Sequence, residues 1–146
     1  MNKQAEEFVR FKSLAIVGVS RSGRKFGNIA QKELKTRGYQ TFIVHPTATE
    51  IDGEPCFASL SSLRGKVDGV VISVPPDKAV GVIRESSEAG IRRVWLQRGA
   101  ESSEAIKAAN DLGIDVVAGK CVLMYAPPVR SLHSFHRFFM KLFGRL

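Results

Sequence analysis

Leu14–Val19 reads LAIVGV, a short apolar run that ends in a glycine. Arg21–Gly27 (RSGRKFG) follows as a polar, glycine-punctuated stretch, and Asn28–Arg37 then places Ile29, Ala30 and Leu34 at helical spacing before Gly38. A buried strand, a tight loop and an amphipathic helix in that order commit the chain to an open sheet whose next strand is reached by a crossover. The unit recurs downstream. Gln40–His45 (QTFIVH) reads as a second strand ended by Pro46, and Val67–Val74 (VDGVVISV) as a third, stopped by Pro75-Pro76. Asp77–Ala89 reads as a helix before Gly90, and Arg92–Leu96 as a fourth strand. Ser102–Leu112 is expected to be a helix with Ser102 or Ser103 as N-cap and Gly113 as its stop, and Asp115–Ala118 a fifth strand. In between, Ile51–Phe57 reads as a turn with a short extended piece and Ser59–Arg64 as one helical turn. The first helix is expected to have Asn28 or a residue just before it near its cap. Alternation of this kind gives an α/β fold, a doubly wound parallel sheet of about five strands with helices on both faces.

The chain has 146 residues, the size of one domain, and hydrophobic and charged fractions of 44% and 25% are those of a globular protein. No apolar stretch approaches the roughly 20 residues of a membrane span. Met1–Lys12 is charged and has no signal-like apolar run, and Cys56 and Cys121 make no disulfide framework, so a reducing cytoplasm is expected. Pro127-Pro128 divides the chain into a binding domain, residues 1–126, and a basic extension, residues 127–146. In that extension Leu132, Phe135, Phe139, Leu142, Phe143 and Leu146 fall near helical spacing among Arg130, Arg137, Lys141 and Arg145. It is expected to be an amphipathic helix that docks on the domain or joins two copies; a membrane surface or an acidic partner is the other reading, without membrane insertion.

Lys and Arg number 22 against 14 acids, a formal charge of +8 that attracts polyanions without choosing among them. The loop after the first strand narrows the choice. Gly18-Val19-Ser20-Arg21-Ser22-Gly23-Arg24-Lys25-Phe26-Gly27 combines glycines, hydroxyls and cations in front of a helix N-terminus, where backbone N–H groups favour anions. It reads as a polyphosphate cradle. A dinucleotide fingerprint would want a glycine where Ser20 stands and an acid at the end of strand two, where the chain has Val44-His45-Pro46 with Glu50 and Asp52 only beyond the proline. Both departures argue against NAD and suit a nucleotide with an extra ribose phosphate. The spacing is not that of a P-loop.

Taken in order, Ile16-Val17-Gly18-Val19-Ser20 with Lys25-Phe26-Gly27, Val44-His45-Pro46, Ile72-Ser73-Val74-Pro75, Trp95-Leu96-Gln97 with Gly99-Ala100, and Cys121-Val122-Leu123-Met124 form a set. From about Phe11 to Met124 the chain resembles the small single-domain CoA-binding proteins, relatives of the CoA-binding domain in the alpha subunit of succinyl-CoA synthetase. The resemblance implies a Rossmann-like fold holding coenzyme A or an acyl-CoA at the carboxyl ends of the strands. It places Gly18, Val19, Ser20, Ser22, Arg24, Lys25, Phe26 and Gly27 around the diphosphate and ribose phosphate. His45 and Pro46 fall where the family usually has Asn-Pro, so His45 is a departure. Val74, Pro75 and Pro76 would line the adenine pocket, and Gln97 and Gly99 would face the pantetheine path.

No catalytic constellation accompanies these motifs. The phosphohistidine domain and nucleotide-grasp partner of the related synthetases have no counterpart here, and His45, His133 and His136 lie outside glycine-rich surroundings. No nucleophile elbow or zinc spacing is present, and His133 with His136 reads as a polar stripe rather than a metal pair. Cys121, beside Lys120, is a candidate for a mixed disulfide with CoA, though a small buried residue is the commoner role. The expected function is therefore non-catalytic binding of CoA or an acyl-CoA, with no metal. An NADP-dependent oxidoreductase or another adenine-nucleotide binder is the alternative, and a nucleic-acid-binding protein the second, without interleaved aromatic and basic residues to support it.

Overall fold

A computed structural model describes residues 3–127. It contains α1 (Lys3–Phe8), β1 (Ser13–Val17), α2 (Phe26–Thr36), β2 (Gln40–Val44), β3 (Glu50–Ile51), β4 (Glu54–Phe57), β5 (Gly69–Ile72), α3 (Pro76–Glu88), β6 (Arg93–Gln97), α4 (Ser103–Asp111) and β7 (Asp115–Lys120), with 3-10 turns at Leu60–Leu63 and Val122–Met124. The strands form one seven-stranded sheet in the order β3-β4-β2-β1-β5-β6-β7. All neighbours are parallel except β3 and β4. The expected α/β class and Rossmann-like winding hold. The count of about five strands is corrected to seven, because Ile51-Asp52-Gly53-Glu54 closes a hairpin. Asp52 and Gly53 carry φ of 51° and 79°, the left-handed pair that a two-residue hairpin turn needs.

Both faces of the sheet are covered, which explains the continuous apolar runs. Leu14, Ile16, Val71, Trp95 and Val117 point to one face, against Ala5 and Phe8 of α1, Leu34 of α2 and Val122 and Leu123. Ala15, Val70, Ile72, Val94 and Leu96 point to the other, against Ala79, Val80 and Ile83 of α3, Ala105 and Ala109 of α4, and Leu60 and Leu63. The period of two along each strand assigns the faces. On the first face Trp95 is fully buried, with the Phe8 ring at 5.3 Å and the Tyr125 ring at 5.6 Å. Gly69 makes room for this cluster: a Cβ there would lie 2.8 Å from Phe8 Cε2.

Element ends follow local chemistry. Ser102 caps α4 by accepting a hydrogen bond from Ala105 N at 3.0 Å, as expected. Helix α2 begins at Phe26 with Lys25 in the cap position, not at Asn28. No described helix is long and apolar enough to cross a membrane. The amphipathic helix and histidine pair expected beyond Pro127 lie outside the described residues.

Candidate functional site

Parallel strands bring their carboxyl ends to one edge. Gly18, His45, Ser73, Arg98 and Cys121 each follow directly on β1, β2, β5, β6 and β7. The chain leaves β1 for β2 on one side and later enters β5 on the other, so the winding reverses between β1 and β5. At that crevice three backbones meet. Gly18 has φ +118°, and a Cβ on it would lie 2.1 Å from Ser73 O; a Cβ on Gly27 would lie 2.3 Å from Gly18 O. Both glycines are therefore demanded by close approach, and they press the first turn of α2 onto the end of β1 beside β5.

The loop is built on Asn28, which is 2% exposed. Its Oδ1 accepts from Ser20 N at 2.9 Å and its Nδ2 donates to Ser20 O at 2.8 Å. Asn28 is thus a strut beneath the loop, not the cap the sequence suggested. Ser20 Oγ accepts from Ser22 N at 3.1 Å and Ser22 Oγ from Arg24 N at 3.3 Å, with the two hydroxyls 2.9 Å apart. These side chains hold the turn's shape. Lys25 makes no side-chain cap bond, and the first turn of α2 has no acid, so the positive end of the helix is neutralised by no side chain of its own. Arg21, Arg24 and Lys25 are exposed, and none forms an ion pair among the described residues. Asp52 does return to the rim, within 3.9 Å of a Cβ placed on Gly23, but its carboxylate is held 3.0 Å from Lys32 Nζ.

His45 and Pro46 lie beside this loop. Val44 pairs in register with Val17, and Arg21 Nη2 donates to Thr47 Oγ1 at 2.8 Å, tying the segments after β1 and β2 together. His45 Nδ1 accepts from Thr47 N at 3.2 Å and Ala48 N at 2.9 Å. Across the crevice Val74 is half-buried, while Pro75 and Pro76 are exposed at the N-terminus of α3, which lacks a side-chain cap.

Farther along the edge the arrangement differs from expectation. Gln97 is 1% exposed; its Oε1 accepts from Val122 N at 3.0 Å, and its Nε2 is buried with no nitrogen or oxygen acceptor among the described residues. Its side chain is turned into the protein rather than along the surface. Gly99 is exposed and its N–H lies 3.2 Å from both carboxylate oxygens of Glu101. An open cleft of about 380 Å³ lies here, lined by Arg98, Gly119, Lys120, Cys121, Met124 and Tyr125. Burial pushes the Cys121 thiol up, with the Gln97 amide and the Leu123 and Met124 backbone opposing, so a neighbouring lysine does not make it a ready thiolate. Cys56 is also pushed up, by burial first and then by Glu50, against Arg21. Among the described residues no group of three or more His, Cys, Asp or Glu is placed to hold a metal.

Sequence reasoning named Asn28 only as a cap and Ser73 only within the Ile72-Ser73-Val74-Pro75 motif, and did not single out Thr47. Only the type of residue 28, a small amide in the first turn of a helix, carried a signal, and that signal pointed to a cap.

The fold is a domain of the open, doubly wound α/β class, with a crevice where its winding reverses. Residues 12–127 match the model of the CoA binding domain family, and the chain belongs to that family. The Bacillus subtilis protein YneT is 27% identical over 113 residues, which are 77% of this chain and 84% of that protein. A conserved hypothetical protein from Pyrococcus furiosus has the same fold with a TM-score of 0.73 and 37% identity, covering 77% of this chain and 97% of the other. The ADP-forming acetate–CoA ligase I of Archaeoglobus fulgidus is 24% identical over 136 residues, 86% of this chain but only 20% of the ligase.

Proposed function

We propose that this chain binds coenzyme A or an acyl-CoA through the loop after β1, and that it does so without chemistry of its own. The observation that carries the reading is the double close approach at Gly18 and Gly27, which brings a helix N-terminus without a side-chain cap or first-turn acid to the crevice, with three exposed cations around it that form no ion pair among the described residues. Such a terminus favours a diphosphate, and Arg21, Arg24 and Lys25 supply charge for a further phosphate. In this reading Gly18, Val19, Ser20, Ser22, Arg24, Lys25, Phe26 and Gly27 surround the phosphates, His45 and Pro46 flank the ribose, and Val74, Pro75 and Pro76 flank the base. Gly99 and the Cys121 cleft lie toward the pantetheine end, with Gln97 as a buried support. Binding without catalysis is supported by relatives of this size: YneT and the Pyrococcus protein are covered over 84% and 97% of their lengths. The ligase has most of its length elsewhere.

Thermal unfolding against CoA, acetyl-CoA, NADP, NAD and ATP tests the reading. A ligand at 100 times its dissociation constant adds about 2.7 kcal/mol. CoA and acetyl-CoA are expected to stabilise the protein. Stabilisation by NADP with none by CoA overturns the proposal.

A further inference from the structure

The segment after β2 is held by an imidazole. His45 Nδ1 accepts from two backbone amides, Thr47 N at 3.2 Å and Ala48 N at 2.9 Å. A nitrogen that accepts carries no proton, so the ring is neutral and its hydrogen sits on Nε2. Nε2 makes no hydrogen bond among the described residues and is not buried. The turn closed in this way ends at Thr47, whose hydroxyl receives Arg21 Nη2 at 2.8 Å. Arg21 uses one of its N–H donors on this anchor and has no acid partner among the described residues. Its remaining donors are left for an anion at the loop after β1.

From this chain of contacts we infer that His45 is a positioning residue: through Nδ1 it closes the turn that stations Arg21 at the phosphate site, and a proton on Nδ1 undoes that arrangement. The inference rests on the CoA-binding reading. Protonation would set an imidazolium N–H against two amide N–H groups, leaving three donors with no acceptor. The turn opens and Thr47 no longer anchors Arg21. Beside the turn, Cys56 of β4 bonds Thr49 O through its amide and is acted on by Arg21 from the loop after β1, Glu50 from β3 and Glu54 from β4. Glu54 is held by Lys35 at 3.2 Å. Burial pushes the Cys56 thiol up, away from the window in which histidines titrate. Carboxylates generally titrate below that window and guanidinium groups far above it. Among the described residues, the imidazole is the group that bonds the two turn amides. Affinity for a phosphate-bearing ligand is held at neutral pH and lost on acidification, the reverse of what a simple gain of positive charge would do.

The test uses the full chain, with His45→Asn and His45→Ala. An asparagine Oδ1 accepts turn amides without titrating. The imidazole nitrogens of the ligand-free protein are first assigned by long-range proton–nitrogen NMR at about pH 8, above the histidine window. CoA is then titrated calorimetrically into each protein at about pH 8 and about pH 5.5, on either side of that window. CoA's own phosphate takes up protons in this range, so the readout is the difference between proteins. The expected tautomer is Nε2–H. At the higher pH His45→Asn, which keeps an acceptor for the turn amides, should retain more affinity than His45→Ala, which binds about three- to tenfold more weakly than the wild type, the worth of roughly one net hydrogen bond. On acidification the wild type should lose about three- to tenfold more affinity than His45→Asn. An Nδ1–H tautomer, equal pH slopes for wild type and His45→Asn, or full affinity in His45→Ala overturns the inference while CoA binding stands. Failure of all three proteins to bind CoA at the higher pH removes the binding reading, and this inference with it.

Discussion

A methyl group decides whether the crevice exists. A Cβ at Gly27 would sit 2.3 Å from the Gly18 carbonyl oxygen, backbone against backbone, with no flexible side chain to yield. Gly27→Ala is expected to cost about 2–4 kcal/mol, read as a lowered midpoint in urea. Gly38, with open space around its Cβ position, offers the contrast of a glycine held by its φ of +94° alone. Asn28→Ala removes both bonds to Ser20 and should cost about 1–3 kcal/mol while weakening ligand binding, measured by chemical unfolding and calorimetry. The close approaches of Gly18 to Ser73 and of Gly27 to Gly18 join residues far apart and were not legible, whereas the run of glycines and hydroxyls was legible as a turn. Asn28 was not, because its partner lies eight residues back and cap propensity describes only neighbours. Tyr39 shows the same limit. Its hydroxyl donates to Val9 O, and burial, with Arg37 opposing, pushes its pKa up to about 12. The unfolded tyrosine ionises near pH 10, so the folded state is the one that resists ionisation. Stability from this group is intact below about pH 10 and is lost by about 2–3 kcal/mol as the pH rises to about 12. Tyr39→Phe should flatten that alkaline step in denaturation curves measured across the range.

Elements were legible in proportion to how much of their stability lies in their own pattern. β1, β2, β5, β6 and β7 are apolar runs because both faces are covered, and α3 and α4 have apolar stripes. Helix α1 has six residues and buries only Ala5 and Phe8; it is made by the Trp95 cluster, which no local pattern reveals. The β3–β4 hairpin announced its turn through Asp52-Gly53, but strands of two and four residues carry no alternation to read. Arg37 joins elements far apart in sequence. Its side chain is 5% exposed, pairs with Glu33 at 3.0 Å, and donates to Leu123 O and Ala126 O at 2.8 Å each. Arg37→Met leaves those carbonyls unserved and should cost about 2–4 kcal/mol. Hydrogen exchange at Tyr125 and Ala126 should quicken with it, since both amides bond within that last turn. The Ser102 cap, by contrast, is a local device, and Ser102→Ala should lower stability by about 1 kcal/mol in the same assay.

At the scale of the molecule, topology does what no single residue does. Parallel pairing gathers the ends of strands β1, β2, β5, β6 and β7 at one edge, so residues from 18 to 121 line the same edge of the sheet. The ordered motifs anticipated that edge. They did not anticipate that Gln97 turns inward to Val122, because burial of a polar side chain depends on what packs above it. The +8 charge of the chain favours anionic ligands in general; in the proposed function the crevice selects among them. The most direct test is a proton–nitrogen correlation spectrum of the full chain titrated with CoA. The account predicts shifts concentrated at residues 18–27, 45–48 and 73–77. Shifts confined to the opposite edge of the sheet, or a spectrum unchanged at saturating CoA, would contradict it.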